Sequence, residues 1–556
     1  MKEVMRYILV VGLAIIIGLQ GRLYAQDPID KEIMVVKPYQ PSLSDAYKIN
    51  ILPMVSDSIS IRPSFDYSIQ PRKFDTKFQI QPITPARLVG APLTKLYRSY
   101  LRLGIGNYLV PNAELSINSL RSKKGQWGID IQHFSINGKL KLDNDFKVKP
   151  GYFDNSVSVY GKRIFNKSFL SGKIFGAYDG GDFYGYNSNL GQIDLPRDQI
   201  QQNYLKLDGR LKLGSTRKDS LHLNYNGSLD YLYTYDHYKN FEHGAILNTD
   251  LNERFRSGTV FGLGFGAEYY NTSESIDSAN NTIIKLNPWF GKNTNAFIYK
   301  IGFGLALDIH GEKVNPLIYP EALLQINMVK GVLMPYFGID GHMQVNNYRT
   351  IVEENRYINP GLKVNNTHHK IRGYVGLKGS FSREISYDVN ASYSLVDNMP
   401  FYVNDTVNLL GNTFNVVYDS IDVSKFYGEL KHLHTDRLSG LLSVTWKQYK
   451  MTGQEKPWHM PSLLVSLIEE YNLRNKILLD MEVFYVGKRY ARPSPFDTEI
   501  LTLKGFVDLN LGLEYRYTKL LSGFIRFNNI LGARNQGWNY YSGMGFNVSF
   551  GFTYAL

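Results

Sequence analysis

The sequence predicts an all-β chain: an antiparallel transmembrane β-barrel of about 22 strands, with about 14–20 as the alternative count. Three observations predict it. Aromatics make up 14% of the 556 residues, with 41 Tyr and 30 Phe, yet mean hydropathy is slightly negative. Long segments alternate apolar and polar residues. The last thirteen residues form one such segment, ending at Leu556. Spanning helices would drive the mean hydropathy well above zero, whereas a wall with one greasy and one wet face averages out.

Taken in chain order, residues 1–25 read as a signal peptide. Lys2 and Arg6 give a positive start, and Tyr7 to Leu19 is apolar. Leu23, Tyr24 and Ala25 end in a small residue, which puts cleavage between Ala25 and Gln26. The apolar run is too short for a permanent membrane helix, and no later stretch approaches the roughly 20 apolar residues that one needs.

Residues 26–95 hold nine of the 22 prolines. Proline lacks an N–H and fixes its own φ, so this segment is expected to be extended, in the periplasm or the lumen. From residue 96 to 556 the alternation takes over. Leu229, Tyr231, Tyr233 and Tyr235 share one parity, and Ser228, Asp230 and Thr234 the other. Ile385 to Leu395 and Val507 to Tyr517 repeat the pattern. Successive strand side chains point to opposite faces, so each run has an apolar and a polar side. The runs last about 10–16 residues, longer than ordinary soluble strands and long enough to cross an outer membrane. Short connections recur, among them Asn166-Lys167, Arg383-Glu384 and Arg474-Asn475. Long polar stretches lie between them: Asp179 to Gln201, Asn346 to His368 and Asp397 to Ser424. Short periplasmic turns and long extracellular loops are the outer-membrane pattern, and an even strand count puts both barrel ends at the periplasm.

In the closing segment Met544, Phe546, Val548, Phe550, Phe552, Tyr554 and Leu556 alternate with small or polar residues. Ser549, Gly551, Tyr554 and Leu556 fit the terminal assembly signal of outer-membrane barrels, whose last strand pairs with the assembly machinery before closing on the first. The predicted address is thus the outer membrane of a Gram-negative cell. The predicted partners are its lipid and lipopolysaccharide, the barrel-assembly machinery and other envelope proteins.

The segment from Asp508 to Tyr517 (DLNLGLEYRY), then Phe527 to Gly532 (FNNILG) and Trp538 to Tyr541 (WNYY), resembles the end of the TonB-dependent outer-membrane receptors. That resemblance implies a barrel of about 22 strands and a transport role. Glu32, Ile33, Met34, Val35 and Val36 resemble the family's energy-coupling box, a segment that adds as a strand to its partner. The family's plug exceeds a hundred residues, whereas about 70 separate Gln26 from the barrel and none of the plug motifs is present. The resemblance is therefore to the barrel, without a recognisable plug.

Chemistry-bearing patterns are sparse. With zero Cys there are no disulfides, thiolate sites or lipid-anchored Cys. The net charge of +12 is spread thinly, which suits an anionic surface or solute better than nucleic acid. His432 and His434 share a strand face without a third metal ligand. His368 and His369, being adjacent, point apart. Asp143 to Asp145 and Asp179 with Asp182 lack a full calcium cage and read as solvated loop. Five Asp-Ser/Thr triplets, starting at Asp57, Asp219, Asp277, Asp405 and Asp419, resemble an O-glycosylation site. No cofactor, metal or catalytic residue is assigned, and the chain is not expected to be an enzyme. The leading expectation is transport of a solute across the outer membrane. The alternative is a structural or accessory subunit of an envelope complex.

Overall fold

In a computed structural model, the described residues are 97–556, apart from 121, 143–144, 188–189, 192, 194–195, 217–221, 277–279, 409, 435–436 and 493–498. The alternation closes into one antiparallel sheet of 22 strands. We number them β1 (Ser99–Gly106) to β22 (Asn547–Ala555) in chain order. Each strand pairs with its chain neighbours, and β22 pairs with β1, from Tyr100 opposite Ala555 to Gly106 opposite Ser549. Closure leaves the sheet no free edge, which is the condition for crossing hydrocarbon with strands.

The two parities separate as predicted. In β7 (Asn224–Asp236) Leu229, Tyr231 and Tyr235 are exposed on the outer wall. Asn224, Thr234 and Asp236 on the other parity are buried. Ile174 and Ile318, about 70% exposed, belong to the same outer apolar belt. The inner parity carries charge in opposed pairs: Lys285 with Glu268 at 2.7 Å, Arg526 with Asp480 at 3.2 Å, Arg210 with Asp230 and Arg372 with Asp340. A greasy outside and a wet inside are what a bilayer and a solvated lumen each select.

The connections sort by end. Asn166-Lys167, Arg256 to Gly258, Lys330-Gly331, Arg383-Glu384, Arg474-Asn475 and Thr518-Lys519 all lie at one end, the turn end. In the tightest, Arg474 and Asn475 both take positive φ (53° and 55°) and the Lys476 N–H donates to the Leu473 carbonyl. That is a type I′ turn, whose twist matches that of its strands. The opposite, loop end carries the long segments 136–152, 181–202, 345–366, 487–505 and 529–546, but also short links such as 311–312.

One expected loop is largely strand. Residues 397–424 belong mostly to β15 (Ile385–Asn404) and β16 (Phe414–His434), which pair to within a 405–413 tip. At about 3.3 Å per residue, the 21 residues of β16 run far beyond a membrane about 30 Å thick. A register shift between Val396 and Met399 marks where this hairpin leaves the wall.

The β1–β22 seam is tight. Phe524 of β21 (Leu521–Asn528) lies over Gly104 and Gly551, with the Arg102 guanidinium 4.2 Å above its ring. A Cβ on Gly551 would stand 2.0 Å from the Leu103 carbonyl oxygen, so only glycine fits there.

Candidate functional site

Chain segments at the loop end fold together instead of standing apart in water. Leu140, Leu142, Tyr184, Tyr186, Ile276, Ile351, Val352, Ile358, Leu362, Tyr402, Phe414 and Tyr541 form one buried apolar cluster. They come from six separate connections or rims around the barrel. Segments so far apart in sequence meet only above the lumen, so the cluster is a lid.

The 345–366 loop is the main beam. Its helix, α1 (Tyr348–Glu354), starts with a capping box between Asn347 and Thr350. Buried Glu242, at the start of β8 (Phe241–Arg254), accepts from the Tyr348 and Arg349 N–H groups at 2.6 and 3.1 Å. A carboxylate there meets both free donors and the positive end of the helix dipole. Arg349 grips Asp208 through two bonds of 2.8 and 3.0 Å and reaches Glu353 at 2.8 Å. The Tyr348 hydroxyl donates to Asp236 at 2.6 Å. These bonds moor the loop to β6 (Asn203–Ser215), β7 and β8, about a third of the way round the barrel. At the other end of the helix, the Tyr402 hydroxyl from β15 donates to Glu354 at 2.8 Å.

Three tyrosines from three loops lock the centre. Tyr357 stacks on Tyr541 with centroids 3.6 Å apart, and Tyr184 meets Tyr541 edge-on at 5.0 Å. The Tyr184 hydroxyl donates to the Ser542 carbonyl at 2.9 Å, and that of Tyr541 donates to the Asn412 carbonyl. Burial raises all three phenols, Tyr357 to about 12, so each stays neutral.

Beside them His459 is enclosed by Phe414 and Trp538. Its Nδ1 bonds to the Tyr402 carbonyl at 2.9 Å, and its Nε2 accepts from the Asn539 N–H at 3.3 Å. These partners require the neutral Nδ1–H tautomer, and burial pushes the imidazole down to about 4. Across the seam, Arg534 bonds to the Leu142 carbonyl at 3.3 Å and to Asp145 at 2.5 Å.

The residues singled out from sequence fall as follows. Ser549 and Gly551 lie in β22 on the seam, and Tyr554 sits opposite Leu101. Leu556 exchanges backbone bonds of 2.9 Å with Ser99. Ala25, Gln26 and Glu32 to Val36 lie outside the described residues, as do Asp57, Asp219 and Asp277. Asp405 accepts from Asn359, Asn415 and the Val407 N–H, while Asp419 accepts from the Thr452, Gly453 and Gln454 N–H groups. Both therefore pin loops. Asp179 pairs with Lys206 at 2.9 Å and Asp182 with Arg197 at 3.5 Å, so these two carboxylates do not converge. His432 faces Glu469 at 3.2 Å and His434 faces Glu384 at 2.9 Å. His368 turns to Tyr319 and Asp308, whereas His369 stacks on His342 at 4.4 Å. The lid itself has no signature in the sequence, because its ties join separate loops, 48 to 392 positions apart.

No protein-family model and no curated protein matches the chain. Solved structures do. The FrpB iron transporter from Neisseria meningitidis (F3-3 variant) is 10% identical over 84% of this chain and 82% of its own, with a TM-score of 0.64. The pyoverdine outer membrane receptor FpvA from Pseudomonas aeruginosa PAO1 is 11% identical over 84% and 79%, TM-score 0.61. The ferric-catecholate import receptor Fiu from K12 E. coli is 9% identical over 84% and 82%, TM-score 0.61. At such identities the likeness is one of fold: the chain resembles the barrel of the TonB-dependent outer-membrane receptors.

Proposed function

We propose that this receptor-type outer-membrane barrel passes a solute across the outer membrane through a mouth gated by its loop lid. The lid carries the reading. A gate must be closed by default and open at a cost of a few kcal/mol, and an assembly of loops held by side-chain contacts meets both conditions. The paired charges of the inner wall suit a polar passenger. That the fold neighbours are named as an iron transporter and import receptors agrees with it. In this reading the loop end faces outward, the turns are periplasmic, and residues 26–95 lie in the periplasm or the lumen. The outer belt meets lipid and lipopolysaccharide. Ser549, Gly551, Tyr554 and Leu556 serve the assembly machinery, and Glu32 to Val36 are the place to look for energy coupling. No step of this function calls for a catalytic group.

Planar-bilayer recordings test the reading on the full chain, on a chain lacking residues 26–95, and on that deletion combined with Tyr541→Ala. Current that appears with the deletion or with the lid variant supports a gated path. Silence in all three refutes it.

The long β15–β16 hairpin favours a second reading, a structural or accessory subunit, because it carries the sheet well beyond the membrane. Purification in mild detergent separates the two. Stoichiometric partners support the subunit, and a lone monomer counts against it.

A further inference from the structure

Beside the lid core, at the loop end, lies a pocket of about 850 Å³ that shares Tyr184 with the lid. A small ribbon pairs Leu140 with Val148 and Lys141 with Lys147. One face of this ribbon enters the lid: Leu140 and Leu142 are buried there and Val148 packs against the core. The other face presents lysine. Continuing the register sets Lys139 opposite Lys149, and both line the pocket together with Lys147. Like charges facing across a ribbon are destabilising by themselves, so the arrangement invites a counter-charge. Arg197 adds a fourth cation from the 181–202 loop.

Among the described residues the only acid on the lining is Asp182, which is buried and 3.5 Å from Arg197. Four cations thus face one carboxylate. Lys141, next along the ribbon, is held by Asp145 at 3.7 Å, which leaves the other three lysines for the pocket. Burial raises Asp182 to about 6, further weakening its opposition to an anion. Tyr152 and Phe153 supply apolar wall. The volume falls in the small-molecule range of about 300–1,000 Å³ and far exceeds that of a single inorganic ion.

We propose that this pocket binds an organic polyanion, a molecule bearing two or more phosphate or carboxylate groups on a larger body. Its groups would bridge Lys139 and Lys149 while its body rests on Tyr152. Its cations take no part in the ties that hold the lid, so the proposal holds or falls whether or not the barrel conducts.

Two sources share this chemistry: a free soluble polyanion and the phosphorylated headgroup of lipopolysaccharide. Calorimetric titration of the full chain in detergent, at low and high salt, distinguishes them with three probes. These are inositol hexakisphosphate, citrate, and lipopolysaccharide before and after enzymatic dephosphorylation. The test variant is Lys139→Gln/Lys147→Gln/Lys149→Gln. The control, Lys123→Gln/Lys124→Gln/Lys167→Gln, removes the same charge at the turn end. All six lysines are exposed, so both variants should keep the barrel. The test variant should bind at least about tenfold more weakly and the control unchanged, with high salt weakening the wild type. Binding of a soluble probe assigns the site to a free ligand. Binding of phosphorylated lipopolysaccharide alone assigns it to the headgroup. Equal loss in test and control, equal binding by test variant and wild type, or no binding of any probe overturns the proposal.

Discussion

Replacing Tyr541 by Ala removes the ring that joins three loops. Tyr541 is 3% exposed, stacked on Tyr357 and edge-on to Tyr184. Truncating a buried aromatic costs about 3–5 kcal/mol, and the orphaned Asn412 carbonyl adds to it. With about 4 kcal/mol lost, the open-to-closed ratio of the lid rises roughly a thousandfold. Tyr541→Phe keeps the ring and loses one hydrogen bond, about 1 kcal/mol or roughly fivefold. Hydrogen exchange of backbone amides reads this directly. Exchange should quicken in 529–546, and equally in 181–202 and 345–366, because the lid is one core. Faster exchange in 529–546 alone would refute the claim that the three loops close as a unit. Unchanged exchange in all three would refute the assignment of the tyrosines as its centre.

Three further outcomes follow from the same geometry. His459 stays neutral in the closed lid down to about pH 4, against an ordinary value of 6.5. The opened lid therefore gains a proton that the closed one refuses as pH falls from 6.5 to 4. Lid stability should be full above 6.5, fall through that window by up to about 3 kcal/mol and level off below it, as read by loop proteolysis against pH. Glu242→Gln should loosen α1 by about 1–3 kcal/mol, seen as faster exchange at Tyr348 and Arg349, with the barrel's melting unchanged. Gly551→Val should prevent seam closure, lost as heat-modifiable mobility on gels. Gly523→Ala, one strand away with only the Gly551 carbonyl at 3.9 Å, should be tolerated.

The barrel was legible in the sequence because its two faces meet different solvents. Leu229, Tyr231 and Tyr235 against Ser228, Asp230 and Thr234 state that difference residue by residue. The turns were legible because tight hairpins demand particular residues, as at Asn475. The upper half of the β15–β16 hairpin was not. Phe401 and Tyr402 are both fully buried in the loop assembly, so neighbouring residues on opposite faces are both apolar and the alternation vanishes. The lid was illegible for a different reason. Tyr184, Tyr357 and Tyr541 stand in polar loops, and nothing local marks them as partners. The solvated-loop reading of Asp179 and Asp182 fails in the same way: both are buried, and Lys206 and Arg197, which claim them, lie 15 or more positions away.

The ties across the mouth also bear on the order in which the molecule is made. Tyr184 bonds to Ser542 over 358 positions and Arg534 to Leu142 over 392, so each needs residues from near both ends of the sheet. Contacts of such sequence separation carry the largest closure entropy and form late. Until β22 has docked on β1 these partners stand at opposite margins of an open sheet. A two-residue slip in any hairpin moves a strand end by about 7 Å, well beyond the 3.6 Å stack of Tyr357 on Tyr541. The lid is thus a running check on the register of the strands that carry its loops. Only a correctly zipped cylinder brings the three rings together, and an unfinished one leaves their apolar faces bare.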